Sequence, residues 1–254
     1  MLNMDLERPS PTTEARPPLP QPEGAALFLD LDGTLAPIEA TPDAVRADPH
    51  RTGLLRRVVA RFDGRVAILS GRSIAEVDRI LDGAVANVAG VHGLERRTAS
   101  NTVFAVPPHP ALGRVEETLA CFAKGQRGLL VESKARSVAL HYRGHPPAEE
   151  ACIDIGRRMA AMHGLQVQEG RMVIELRTPG PDKGESLRLF MAESPFAGAR
   201  PVMVGDDMTD EHAFDAASDL GGWSVLVGAP RPTAALYRLH DPAAVLAWLE
   251  EAVS

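Results

Sequence analysis

The chain has 254 residues, 44% of them hydrophobic, and a formal net charge of −7. This is enough for one large domain or two smaller ones, and an acidic chain without a basic block is not typical of a nucleic-acid binder. No apolar run approaches the ~18 residues of a membrane-spanning helix, and the N-terminus lacks the apolar stretch of a signal peptide. The two cysteines, Cys121 and Cys152, fit neither a metal site nor a redox motif, so we expect a cytoplasmic protein with reduced thiols.

Residues 1–24 are rich in proline and poor in side chains that a core could bury. Six prolines lie in the first 22 residues: Pro9, Pro11, Pro17, Pro18, Pro20 and Pro22. We predict a disordered tail over 1–24, with ordered chain from Ala25 onward. A proline-rich segment that binds a partner is the alternative interpretation.

Five short apolar runs are the candidate core strands, at 25–29, 66–69, 85–89, 202–204 and 223–227. They are continuously apolar rather than alternating, which is typical of strands buried on both faces of a parallel sheet. Helical patterns lie between them, at 51–62, 74–81, 183–192 and 211–217. This alternation predicts an α/β fold with a doubly wound, Rossmann-like parallel sheet core.

The middle of the chain has a different pattern. Residues 129–143 and 165–177 alternate apolar and polar side chains, as in antiparallel strands with one exposed face, and a helical segment near 148–163 lies between them. We therefore predict a smaller α+β cap domain over 108–178, inserted into a core formed by 25–107 and 179–254.

Polar residues follow three of the predicted core strands directly. They are DLDGTL at 30–35, Ser-Gly-Arg at 70–72 and the acidic run at 205–210, while Lys183 opens a helix ahead of the last of these strands. Because ligands of open α/β sheets bind at the carboxyl ends of the strands, we expect these groups to meet at one edge.

Five carboxylates would crowd this edge: Asp30, Asp32, Asp206, Asp207 and Asp210. They cannot all stay ionised without countercharge, which Mg²⁺ and Lys183 would supply. Such a site suits phosphoryl transfer, with Asp30 as a nucleophile that forms an aspartyl-phosphate and Asp32 as the general acid and base. Each motif alone has a plainer interpretation, since an Asp-x-Asp pair, a Ser-Gly turn or the acidic run could be a cap, a turn or a helix start.

DLDGTL, ILSGR, Lys183 in PDKGES and VGDDMTDE resemble, in this order, the four motifs of haloacid-dehalogenase (HAD)-like phosphatases. The resemblance implies Asp30 as nucleophile, Asp32 as acid and base, and Mg²⁺ bound by Asp30, the backbone carbonyl of Asp32, and Asp206. The implied phosphate contacts and supporting carboxylates are Ser70, Gly71, Lys183, Asp207 and Asp210.

Longer stretches resemble the trehalose-6-phosphate phosphatases within that superfamily: DLDGTLAPIEATPDAV, GVHGLE, ESKARSVALHYR and VIELR. The resemblance implies a Mg²⁺-dependent enzyme of trehalose biosynthesis, whose sugar contacts would be Glu132, Lys134, His141, Arg143, Glu175, His92 and Glu95. Separately, we expect a monomer. The period of two agrees, since it puts Glu132 with Lys134, and His141 with Arg143, on one face of a strand. An ordinary solvated sheet face remains open, as do another sugar phosphate, such as sucrose 6-phosphate or a mannosyl phosphate, a phosphomutase and a non-catalytic sensor.

Overall fold

The computed structural model of the chain describes residues 16–39, 41, 44–170 and 172–254. It divides into two compact units, Met1–Phe104 with Pro181–Ser254, and Ala105–Gly180. The predicted insertion, 108–178, lies inside the smaller unit. Among the described residues, no helix combines the length and the apolar composition needed to cross a bilayer.

Twelve strands and seven α-helices form the described chain. The strands are β1 (Ala25–Leu29), β2 (Val66–Leu69), β3 (Asn87–Gly90), β4 (Glu95–Arg97), β5 (Val103–Ala105), β6 (Leu130–Lys134), β7 (Ser137–His141), β8 (Gln166–Gly170), β9 (Val173–Arg177), β10 (Arg200–Gly205), β11 (Trp223–Val227) and β12 (Tyr237–Leu239). The helices are α1 (Pro49–Arg61), α2 (Ile74–Leu81), α3 (Leu112–Ala123), α4 (Glu149–His163), α5 (Lys183–Met191), α6 (Glu211–Asp219) and α7 (Pro242–Ala252). Short 3-10 turns lie at Val91–Gly93, Pro146–Ala148 and Met208–Asp210.

The larger unit contains an eight-stranded sheet in the order β12-β11-β10-β1-β2-β3-β4-β5. The pairs from β12 to β3 are parallel, and β4 adds an antiparallel edge to β3. Side chains of β1 alternate between two buried clusters: Leu27 and Leu29 enter one, and Ala26 and Phe28 the other. Burial on both faces explains the continuous apolar runs and confirms the predicted doubly wound core.

The N-terminal residues that the structure describes pack against this core. Pro17, Pro20 and Pro22 are buried. The carbonyl of Pro18 accepts a hydrogen bond from Trp248 Nε1 at 3.2 Å, and that of Pro22 accepts one from Arg65 Nη2 at 2.7 Å. Residues 16–24, which we predicted to be part of a disordered tail, are thus ordered by buried proline rings and by hydrogen bonds to backbone carbonyls. A sequence analysis that counts apolar side chains does not detect such contacts. Residues 1–15 lie outside the described residues.

The smaller unit is a four-stranded antiparallel sheet, in the order β6-β7-β9-β8, with α3 and α4. Val138, Leu140, Ile174 and Leu176 point from one sheet face into a core shared with the helices. The other face is polar, and Glu132, Ala139 and Glu175 lie in register across it. Both cysteines of this unit are free thiols, with Cys121 exposed and Cys152 buried.

Candidate active site

The site lies where three neighbouring parallel strands of the larger unit end. Asp30 follows β1, Ser70 follows β2, and Asp206 follows β10, and β1 pairs with both of the others. The residues that follow these strands are therefore at one edge of the sheet, as the sequence predicts. Asp30 and Ser70 are buried, and Asp206 is partly exposed.

Lys183 is the buried cation of this edge. It is the first residue of α5, and its Nζ donates hydrogen bonds to Asp30 Oδ1 at 2.8 Å and to Asp210 Oδ1 at 2.7 Å. Burial alone would lower the pKa of Lys183, but the charges of Asp210 and Asp30 outweigh it and raise the pKa above its usual value. The ammonium group thus stays charged and ties the predicted nucleophile to the acidic loop after β10.

Asp30, Asp206 and Asp210 form an acidic cluster in which one carboxylate oxygen of each lies within 4.8 Å of the others. Burial raises the pKa of Asp30 well above its usual range, although Lys183 opposes this. Burial and the charges of Asp210 and Asp207 raise the pKa of Asp206 to about 7. Ionisation of these crowded carboxylates is unfavourable without a countercharge. A hard divalent cation that prefers oxygen ligands, such as Mg²⁺, would supply that charge.

Both carboxylate oxygens of Asp210 already accept hydrogen bonds from the protein. Its Oδ1 accepts from Lys183, and its Oδ2 accepts from the backbone N–H groups of Asp206 at 3.0 Å and Asp207 at 3.1 Å. Asp30 and Asp206 are therefore the members of the cluster better placed to hold a cation. Asp207 caps the following turn, because its Oδ1 accepts from Thr209 N at 2.7 Å.

Glycine allows the loops to approach one another here. Gly33 has a φ of +83°, and a Cβ at this position would overlap the carboxylate of Asp206. A Cβ at Gly205 would likewise overlap the carboxylate of Asp210. Gly33 thus lets the Asp206 carboxylate lie against the backbone of a neighbouring loop, and Gly205 lets Asp210 fold back onto the backbone of its own loop.

Asp32 is held by Arg72, which the sequence places at this edge without indicating its role. Arg72 Nε lies 2.7 Å from Asp32 Oδ2, and Nη2 lies 2.8 Å from Oδ1. The available signal was the position of this arginine, which is the third residue after the end of β2. A bidentate ion pair of this kind fixes the orientation of the carboxylate.

Two hydroxyl groups and a glycine complete the pocket beside these carboxylates. The Thr34 hydroxyl is buried and has no hydrogen-bond partner among the described residues, and Ser70 Oγ accepts from Arg72 N at 3.1 Å. A Cβ on Gly71 would lie 2.6 Å from His92 Nε2, so the glycine makes room for the imidazole.

His92 and Glu95 are the predicted sugar contacts of the larger unit, and the two residues make different contacts. His92 has a left-handed backbone conformation, with a φ of 54°, and its N–H donates to Ser70 O at 2.9 Å. Glu95 Oε2 accepts from Ile74 N at 3.2 Å, at the start of α2. Glu95 thus acts at least as a cap of that helix.

The polar face of the smaller unit holds four of the other predicted sugar contacts, Glu132, Lys134, His141 and Glu175. Glu132 Oε2 pairs with His141 Nε2 at 2.9 Å, and Glu175 accepts from Lys134 Nζ at 3.0 Å and from Ser137 Oγ. Arg143 is exposed in the turn after β7, which ends at His141. The prediction that His141 and Arg143 share a strand face is therefore wrong, because the strand is too short to include both.

A family profile described as trehalose-phosphatase matches residues 28–243 of the chain. The chain belongs to the trehalose-phosphatase family. It is 37% identical over 227 residues to the trehalose-6-phosphate phosphatase of Escherichia coli (strain K12), a match that covers 89% of this chain and 85% of that one. It is 34% identical over 212 residues to a probable trehalose-phosphate phosphatase of Sinorhizobium fredii, with 82% and 79% covered.

Solved structures agree with this assignment. The crystal structure of a trehalose-6-phosphate phosphatase related protein has a TM-score of 0.72 and 29% identity, and the match covers 90% of this chain and 96% of that one. A haloacid dehalogenase-like hydrolase from Bacteroides thetaiotaomicron has a TM-score of 0.66 at 17% identity, over 90% and 99% of the chains, and shows the fold alone. The sequence resemblance to the trehalose-phosphatase family is confirmed, and the fold is that of a haloacid dehalogenase-like hydrolase.

Proposed function

We propose that the protein is a Mg²⁺-dependent phosphatase that hydrolyses trehalose 6-phosphate to trehalose and inorganic phosphate. The observation that carries this proposal is the buried Lys183, bonded to Asp30 and Asp210 beside Asp206, in a chain of the trehalose-phosphatase family. The names of the bacterial relatives support trehalose 6-phosphate as the substrate.

The proposed reaction has two displacements at phosphorus. In the first, the Asp30 carboxylate attacks the phosphoryl group, the bond from phosphorus to the sugar oxygen breaks, and Asp32 gives that oxygen its proton. In the second, Asp32 takes a proton from water, and the water oxygen attacks phosphorus. The acyl-phosphate bond then breaks, and Asp30 is regenerated together with inorganic phosphate.

Each remaining side chain of this edge has a role that its contacts suggest. Lys183 neutralises charge at Asp30 and at the bound phosphate, and the Thr34 and Ser70 hydroxyls, with the backbone at Gly71, would hold phosphate oxygens. Arg72 orients the Asp32 carboxylate by binding both of its oxygens. Asp30, the backbone carbonyl of Asp32, and Asp206 would hold Mg²⁺, which when bound neutralises negative charge at the phosphoryl group.

The polar face of the smaller unit is the proposed source of sugar contacts. A disaccharide presents many hydroxyl groups, each of which needs a directional donor or acceptor. Glu132, His141, Lys134 and Glu175 alternate carboxylates with donors on one sheet face, and Arg143 is exposed close by in sequence. We assign no nucleic-acid or membrane partner and propose a cytoplasmic monomer, in which Cys121 and Cys152 remain thiols.

The deciding experiment measures phosphate release from a panel of substrates, with Mg²⁺ and with chelator. The panel contains trehalose 6-phosphate, sucrose 6-phosphate, glucose 6-phosphate and an aryl phosphate, and folded Asp30→Asn protein serves as the control. A metal-dependent preference for trehalose 6-phosphate that Asp30→Asn abolishes would support the proposal. Another preferred sugar phosphate would refute the substrate and keep the chemistry, whereas no release from any substrate would favour a sensor.

A further inference from the structure

Arg231 connects two loops at the carboxyl edge of the large sheet. It lies between β11 and β12, and its guanidinium donates to the backbone carbonyls of Asp207 at 2.8 Å and Asp206 at 3.4 Å. The same guanidinium pairs with the carboxylate of Glu211, the first residue of α6. With a further contact to Met208 Sδ at 3.6 Å, one arginine thus binds four groups of the segment that follows β10.

Glu211 anchors this connection from the other side. Its side chain is only 5% exposed; one carboxylate oxygen accepts from Arg231, and the other accepts from Ala234 N at 2.8 Å. A carboxylate this deeply buried needs a partner, so Arg231 and Glu211 hold each other in place. The pair fixes the β11–β12 loop against the acidic loop.

The backbone of Asp206 and Asp207 is consequently held from both sides. Asp210 Oδ2 accepts from the N–H groups of both residues, and Arg231 donates to the carbonyls of both. Four carboxylates lie within residues 206–211, and their mutual repulsion favours a spread loop unless such bonds oppose it. The direction of the Asp206 side chain depends on this backbone.

We propose that Arg231 is a positioning residue for the divalent cation site: it fixes the backbone of Asp206 and Asp207 so that the Asp206 carboxylate is preorganised to bind the metal. This inference rests on the proposed metal dependence, but not on the identity of the sugar. Residues that orient metal ligands without touching the metal typically contribute 10–100-fold to affinity. Arg231 has the contacts expected of such a residue.

The test is calorimetric titration of the substrate-free protein with Mg²⁺, for the wild type, Arg231→Ala and Arg231→Lys. We expect Arg231→Ala to weaken Mg²⁺ binding by about tenfold or more and Arg231→Lys to lie between it and the wild type. At saturating Mg²⁺, the loss in kcat should be smaller than the loss in Mg²⁺ affinity, because Arg231 touches no reacting atom.

Arg238→Ala is the matched control. Arg238 lies in β12, directly after this connection, and donates to a backbone carbonyl, that of Gly228, at 3.0 Å; among the described residues it forms no hydrogen bond or ion pair with residues 205–211. Equal Mg²⁺ affinity in Arg231→Ala and Arg238→Ala would overturn the inference. If Arg231→Ala does not fold, Arg231→Lys is the deciding variant, and a wild-type Mg²⁺ affinity in Arg231→Lys would also overturn the inference. Mg²⁺ binding by a wild type that does not hydrolyse trehalose 6-phosphate would refute the proposed substrate and leave the inference standing.

Discussion

The guanidinium of Arg72 binds both carboxylate oxygens of Asp32, at 2.7 Å from Nε to Oδ2 and 2.8 Å from Nη2 to Oδ1. Arg72 Nη1 also lies 3.8 Å from Glu76 Oε1, in the first turn of α2. Glu76 is itself fixed, because it forms a capping box with Ser73. The proposed general acid and base is therefore oriented by the start of a helix that follows a different strand.

Replacing Arg72 by lysine should lower kcat by about 100-fold, because a displacement of about 1 Å in a catalytic group can cost that much. Lysine keeps the positive charge but cannot bind both oxygens in one plane. Steady-state kinetics should show the loss in kcat with little change in KM.

Arg97→Lys is the control, because it also removes a bidentate arginine–aspartate pair, but one outside the proposed site. Arg97 binds Asp78 at 2.6 and 2.7 Å in the same unit, away from the acidic cluster. This variant should keep its kcat within about threefold. Similar losses of kcat in both variants would contradict a positioning role for Arg72.

Removing the charge of Lys183 should affect stability as well as catalysis. Lys183→Met leaves Asp30 and Asp210 buried without their cation, which should cost about 3–5 kcal/mol in the free energy of unfolding. Activity should fall below detection. Denaturant unfolding with chelator present measures the stability loss.

Two further variants separate charge compensation from ordinary packing. Adding Asp210→Asn to Lys183→Met removes one unpaired carboxylate and should restore part of the stability but no activity. Lys134→Met breaks a more exposed pair, with Glu175, and should cost about 1 kcal/mol or less. A loss in Lys183→Met no larger than that in Lys134→Met would refute a buried charge network.

The stability of the metal-free protein should depend on pH through Asp206. The pKa of Asp206 is raised from 3.8 to about 7, so the folded chain holds a proton in this window that the unfolded chain releases. The stability from this group is fully present below about pH 4 and is lost as the pH rises through about 7. Mg²⁺ competes with that proton, so its affinity should rise over the same range.

Melting temperatures with Mg²⁺ and with chelator, from about pH 5 to about pH 9, measure both effects. The difference between the two conditions should grow with pH and level off above the pKa of Asp206. Asp206→Asn should remove most of this growth, although Asp30, whose pKa is also raised, keeps a part. A difference that is independent of pH in the wild type would contradict Mg²⁺ binding by these carboxylates.

Glu132→Ala should separate recognition of the sugar from the chemistry at phosphorus. It removes the partner of His141 on the polar sheet face, so kcat/KM for trehalose 6-phosphate should fall by about 100-fold or more. Hydrolysis of an aryl phosphate should change little. Glu169→Ala is the control, since Glu169 lies on the opposite face of the same sheet and pairs with Arg157. Equal losses on the two substrates would contradict a sugar-binding role for Glu132.

Sequence patterns predicted those parts of the fold whose burial determines their composition. The bounds of β1, β2 and β11 agree with the prediction because strands buried on both faces must be continuously apolar. The polar strand β4 was not predicted, because contacts with residues distant in sequence stabilise it rather than an apolar pattern of its own. Its central residue, Arg96, pairs with Glu193 and lies 4.7 Å from the ring of Phe104. No local period indicates such contacts.

The same distinction holds for the site. The motifs locate Asp30, Asp206 and Lys183 because each follows a strand or opens a helix at the carboxyl edge. The contacts of Arg72 and Arg231 were not predicted, because their partners are distant in sequence: Arg72 binds Asp32, 40 residues away, and Arg231 binds the backbone carbonyl of Asp207, 24 residues away. These pairs depend on how loops meet in space.

The contact between Gly33 and Asp206 leads to a prediction that separates backbone strain from disruption of the site. Gly33→Ala places a Cβ on the Asp206 carboxylate and forces alanine to a φ of +83°. Gly83→Ala imposes a similar strain, at a φ of +63°, but meets no atom within 4 Å, so it should cost about 1–2 kcal/mol and leave Mg²⁺ binding unchanged. Gly33→Ala should be less stable than Gly83→Ala and should lose most of the rise in melting temperature that Mg²⁺ causes. In an Asp206→Ala background the overlap disappears, and Gly33→Ala should cost no more than Gly83→Ala; a larger cost there would mean that the first loop needs this glycine for its own turn.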